Sequence, residues 1–155
     1  MLPQRVTPQQ ALPKIKQFCA YQERCHSEVK DKLYGYGLSK NYVDELLSKL
    51  VEDNFLNEER FAIAFAGGKF RIKQWGRIKI RYELRQKQVS DYCVKKALAS
   101  IDDDDYLKTL DRLAEQKIKL LKTEKNIFVK KRKLLDHLRA KGYEPDLVGD
   151  WLKRI

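Results

Sequence analysis

The chain repeats itself, and that repetition restricts its fold more than any single motif does. With Leu33, Leu84 and Leu138 taken as equivalent anchors, one apolar pattern returns with a period of about 50 residues. Val29, Ile80 and Leu134 lie four residues before the anchors, and Leu38, Val89 and Tyr143 lie five after. At nine and ten after come the pairs Tyr42-Val43, Cys93-Val94 and Leu147-Val148. A spacing of four puts two side chains on one helix face. A unit this small contacts mainly its neighbours, so copies are expected to stack. The pattern predicts an all-α fold of three tandem three-helix repeats, 7–53, 54–101 and 102–155, forming an elongated, curved helical array.

Helix starts and stops fit the same division. Thr7-Pro8-Gln9-Gln10 reads as an N-cap, a proline at the first helical position and a capping box, although Pro13 follows closely. That first helix carries Ile15, Phe18 and Cys19 inward and is expected to end near Arg24. Ser27 is expected to cap the second helix, which Gly35 and Gly37 stop. Ser39 caps a third, with Tyr42, Val43, Leu46, Leu47 and Leu50 inward. In the middle copy Asn57 caps a helix with Phe61, Ala62, Phe65, Phe70 and Ile72 inward, which Gly67-Gly68 is expected to interrupt. Each such glycine costs about 1 kcal/mol relative to alanine. Trp75-Gly76 breaks the chain, and Ser90 caps the next helix. Asp102 to Asp105 open the third copy; consecutive carboxylates point in different directions, so they read as a cap and dipole complement rather than a metal site. A long amphipathic helix follows through Leu121, and Leu147, Val148, Trp151 and Leu152 fill the last one.

Charge separates the copies. Residues 7–53 hold seven basic and seven acidic side chains; 54–101 hold eleven against four, and 102–155 fourteen against eleven. Arg5 supplies the last unit of the net +11. The densest run is Lys69, Arg71, Lys73, Arg77, Lys79, Arg81, Arg85 and Lys87, opposed only by Glu83. The natural partner of such a surface is a polyanion, either nucleic acid or an acidic protein groove. The bland alternative is a merely solvated face.

Signals for catalysis are missing from the sequence. No glycine leads into a GK[ST] phosphate loop, and His26 and His137 belong to no HExxH arrangement. Neither a catalytic residue, a metal site nor a cofactor is expected. Cys19, Cys25 and Cys93 are odd in number and lack CxxC spacing, which reads as a reduced, cytoplasmic protein. Met1–Gln10 lacks the apolar core of a signal peptide, and no apolar run approaches the roughly 20 residues that span a bilayer.

Glu59-Arg60-Phe61-Ala62-x-Ala64-Phe65, followed by Gly76-x-x-Lys79-Ile80-x-x-Glu83-Leu84-x-x-Lys87, resembles the core signature of the RecX family of recombinase regulators. Cys25-His26-Ser27 with Val29 and Lys32-Leu33 is similar to the family's first-repeat pattern, and the likeness runs over residues 15–152. It departs at Arg77, where the family often has proline, at Gln88, where it often has glycine, and at Gly67-Gly68, where charged residues are common.

The resemblance implies a monomeric, non-enzymatic modulator that lies in the groove of the RecA filament on single-stranded DNA. It would dampen ATPase, strand-exchange and coprotease activity, and so regulate recombination, repair and the SOS response. Single-stranded DNA is then an auxiliary, non-specific partner held through phosphates, and no membrane is involved. The expected contact surface is Arg71, Lys73, Arg77, Lys79, Arg81, Arg85 and Lys87 with Lys130, Lys131, Arg132, Lys133 and Arg139. Of these, Arg77 is expected to flank the core, while Lys79, Arg81, Arg85 and Lys87 point outward. Trp75 reads as a packing residue at a helix junction, with base stacking the alternative. The rival reading is a helical protein that binds nucleic acid without RecA and without sequence preference, since no helix-turn-helix recognition helix is evident.

Overall fold

A computed structural model describes residues 6–155; Arg5 and the start of the segment read for a signal peptide lie outside them. Among the described residues there are nine α-helices and no strand. They are α1 (Pro8–Tyr21), α2 (His26–Gly35), α3 (Lys40–Glu52), α4 (Glu58–Gly68), α5 (Arg77–Gln86), α6 (Asp91–Ala99), α7 (Asp103–Leu120), α8 (Ile127–Lys141) and α9 (Pro145–Leu152). A π turn, Lys69–Lys73, extends α4. The all-α expectation holds, three helices to each repeat.

The chain forms two compact units. One comprises the chain to Ala64 together with Leu84–Lys96; the other comprises Phe65–Glu83 together with Ala97–Ile155. Helices α4, α5 and α6 each contribute residues to both.

In the first unit α1, α2 and α3 pack on one another around Ala11, Ile15, Val29, Leu33, Val43 and Leu50, all without solvent exposure. Thr7 caps α1 as expected: its hydroxyl accepts from the Gln10 N–H at 3.2 Å, and the Gln10 side chain accepts from the Thr7 N–H at 3.1 Å. Pro13 sits inside this helix without breaking it. Helix α1 ends at Tyr21, short of Arg24, whose guanidinium turns back over the Phe18 ring at 3.7 Å and donates to the Phe18 carbonyl at 3.1 Å.

The second helix begins one residue before the expected cap. Cys25 is the N-cap, and the Glu28 carboxylate accepts its N–H at 3.1 Å. Ser27 lies inside the helix and donates its hydroxyl to the Lys87 carbonyl at 2.7 Å. Tyr42, expected inward, is half exposed at the edge of the helix face that Val43, Leu46 and Leu50 bury.

In the second unit α7 packs on α8 and α8 on α9. Asp102 caps α7, accepting the Asp105 N–H at 3.0 Å. Phe70, Tyr106 and Tyr143 form an aromatic run, with ring centroids 5.8 and 5.1 Å apart. Gly67-Gly68 does not interrupt its helix. The helix continues through the π turn and stops at Gln74, which takes φ +59°. The wider i→i+5 turn re-phases the face, so Phe70 stays buried while Ile72 is 79% exposed rather than inward.

Backbone conformation repeats along with sequence. The position four after each anchor is left-handed in all three copies: Gly37 at φ +85°, Gln88 at +63° and Gly142 at +98°. Each ends its repeat's second helix, where such a residue satisfies the last carbonyls. The anchors Leu33, Leu84 and Leu138 and their partners Val29, Ile80 and Leu134 are all fully buried.

Candidate functional site

The basic side chains singled out from sequence fall into three groups. The first surrounds the π turn in the second unit. Arg71 and Lys73 are exposed on it, and Lys79, expected outward, is half-buried. Lys79 Nζ lies 4.7 Å from the Trp75 ring centroid, and Lys69 Nζ lies 5.1 Å from it. Trp75 also meets Phe65 edge-on at 6.4 Å. A shared indole therefore holds two ammonium groups in place, each such contact contributing about 0.5–1 kcal/mol. Lys141 reaches the same turn, donating to the Lys73 carbonyl at 3.2 Å.

Lys69 and Lys141 lie outside the contact surface expected from the sequence. The signal for Lys141 was in the repeat: it stands three after its anchor, as Lys87 does. The Arg71 guanidinium lies over Gly67, where an alanine methyl would come within 2.8 Å of Nη1 and shift that flexible side chain.

The second group is structural. Arg77 is 23% exposed, with its guanidinium spent on Glu144 at 2.8 Å and Asp103 at 2.7 Å, stacked 3.8 Å from the centre of the Tyr106 ring. Its backbone N–H donates to the Tyr106 hydroxyl at 2.9 Å, and that hydroxyl donates to Glu144. Burial and then the Glu144 carboxylate push the Tyr106 pKa well up, so the phenol stays a donor. Lys87 was expected to point outward. It is half-buried against Glu28 at 3.3 Å, and the Glu28 pKa falls: burial opposes this, but the Cys25 N–H and the Lys87 charge prevail.

The remaining cations face solvent. Arg81, Arg85, Arg132, Lys133 and Arg139 are exposed, and Lys130 and Lys131 half-buried. Arg85 and Lys133 make exposed pairs with Asp91 and Glu124 at 3.6 Å. Surface pairs of this kind contribute about 0–1 kcal/mol and exchange readily for another anion. Among the described residues, no group of three or more His, Cys, Asp or Glu is arranged to hold a metal ion, and no helix is long and apolar enough to cross a membrane.

Residues 57–98 match the family model for RecX, second three-helix domain. The regulatory protein RecX of Clostridium perfringens (strain 13) is 32% identical over 133 residues, covering 85% of this chain. That of Prosthecochloris aestuarii is 28% identical over 145 residues, covering 94% of this chain and 93% of its own length. This chain's similarities in sequence and in fold are to the RecX family. The chain spans 62% of the length of the Clostridium perfringens relative. The fold agrees: the crystal structure of RecX from Lactobacillus salivarius superimposes with a TM-score of 0.85 at 22% identity, over 95% of this chain and 94% of that one.

Two departures from the RecX pattern acquire reasons here. Arg77 occupies the first position of α5, where proline fits because no helical donor is needed there. In this chain the N–H is used by Tyr106 and the side chain by two carboxylates. Gln88 takes the left-handed conformation that glycine adopts without cost.

Proposed function

We propose that this protein is a non-catalytic regulator that binds the RecA filament on single-stranded DNA and lowers its ATPase, strand-exchange and coprotease activities. It acts in the cytoplasm as a monomer, without metal or cofactor. The observation that carries this reading is the set of exposed cations on a RecX-like helical scaffold: Arg71 and Lys73 on the π turn, Arg81 on α5, and Arg132, Lys133 and Arg139 on α8. Acidic surfaces of filament subunits and DNA phosphates are both suited to such cations, and phosphate contacts add affinity without reading sequence. The test is a titration of RecA's DNA-dependent ATP hydrolysis. Inhibition at substoichiometric protein is expected; an unchanged rate over a broad titration would sink the proposal.

A second reading, DNA binding without RecA, draws on the lysines around Trp75, since an aromatic beside ammonium groups suits a single strand. It predicts binding to an oligonucleotide alone that weakens steeply with salt. Reversing Arg71, Lys73 and Arg81 should abolish that binding. Lys87 is left out of this variant because a glutamate there would face Glu28.

A further inference from the structure

The tip of the α7–α8 hairpin has a composition that its own packing does not explain. Leu120 ends α7 with 77% exposure, and Phe128 near the start of α8 is 81% exposed, flanked by Ile127 at 44% and Val129 at 37%. The hairpin core is filled without them, by Leu113, Leu121, Leu134 and Leu138.

Nor is the tip a loose loop. Asn126 caps α8 by accepting the Phe128 N–H at 3.0 Å, and Glu124 accepts the Asn126 N–H at 3.1 Å. Phe128 is thus carried on a formed helix turn, which lowers the ordering cost of docking. Around it, residues 117–133 hold eight Lys or Arg against one acid, Glu124, which is already engaged with Asn126 and Lys133.

We infer that this tip is a docking surface for an acidic protein face bearing an apolar pocket, with Leu120 and Phe128 as its anchors. Charge complementarity selects an anionic partner. The anchors select protein over nucleic acid: three of the four exposed apolar side chains are aliphatic, and aliphatic side chains offer a base no π-face to stack on. The inference rests on the regulatory reading for its partner, which is then the subunit surface of the RecA filament.

The test compares the full chain with Leu120→Ser/Phe128→Ser and, separately, Lys125→Glu/Arg132→Glu, all four positions exposed. Each is measured for binding to the RecA filament on single-stranded DNA, to the bare oligonucleotide, and to phosphatidylserine-containing vesicles. Exposed substitutions of this kind leave folding within about 0.5 kcal/mol, checked by thermal melting. The serine variant should bind the filament at least ~10-fold more weakly, as for an interface anchor, with oligonucleotide affinity unchanged. The charge-reversed variant should also weaken filament binding.

Equal filament binding by wild type and serine variant would overturn the docking surface and leave the regulatory reading standing. No filament binding by the wild type would remove both. A parallel loss of oligonucleotide binding in the serine variant would assign the tip to nucleic acid, and wild-type vesicle binding lost in that variant would assign it to a membrane; either result overturns the inference.

Discussion

Gly142 and Gly76 face each other in the second unit, and alanine at each position separates two costs of filling a tight backbone contact. At Gly142, φ is +98° and a methyl group would come within 2.6 Å of the Lys79 amide nitrogen, closer than real methyl carbons approach. The left-handed conformation costs an L-residue about 1–2 kcal/mol, and overpacking typically adds about 1–3 kcal/mol, so Gly142→Ala should lose about 2–5 kcal/mol. At Gly76 φ is not positive, but a methyl would lie 2.5 Å from the Tyr143 amide nitrogen and against the Gly142 carbonyl. Only the steric cost applies, about 1–3 kcal/mol. Two backbone bonds are also at stake, Gly76 N–H to the Lys141 carbonyl at 2.7 Å and Ile78 N–H to the Gly142 carbonyl at 2.9 Å. Gly149 is the control: it lies within α9 with nothing within 4 Å of an added methyl, so Gly149→Ala should gain roughly 0.5–1 kcal/mol. Both tryptophans, Trp75 and Trp151, belong to the second unit, so urea unfolding followed by tryptophan fluorescence reads that unit directly. A Gly142→Ala loss below about 0.5 kcal/mol, or no difference from the Gly149 control, would refute the close-approach argument.

Gln88→Gly should stabilise by about 0.5–1 kcal/mol, the relief of a left-handed glutamine less the entropy of glycine. Far-UV circular dichroism is the readout, and a destabilised variant would refute the strain. Arg77→Lys should destabilise the second unit by about 1–3 kcal/mol, because one ammonium cannot reproduce the planar fork that holds Glu144 and Asp103 together. Unchanged fluorescence-detected unfolding would show that the clasp contributes nothing.

The all-helical class, the buried anchors and most helix starts were legible in the sequence. A helix face and a cap depend on residues only a few positions apart, which makes them one-dimensional signals. Thr7 and Asn57 could be assigned as caps for that reason, a cap could be placed within Asp102 to Asp105, and Leu33, Leu84 and Leu138 could be assigned as core. At two positions the local reading fails because a change of helical pitch or a long-range contact intervenes. Ile72 lies outside the core because the π turn shifts its phase, and Ser27 has the sequence of a cap but spends its hydroxyl on the Lys87 carbonyl, 60 residues away.

The charged surface shows the division most clearly. By itself the sequence determined that residues 69–87 carry a dense positive run and that Ile80 and Leu84 within it turn inward. Only the tertiary structure decided which cations are already committed. Arg77 meets Glu144 across 67 residues and Lys87 meets Glu28 across 59, while Arg71, Lys73 and Arg81 stay exposed. A cation's availability depends on which carboxylate the fold brings within about 4 Å, and spacing along the chain does not encode that distance.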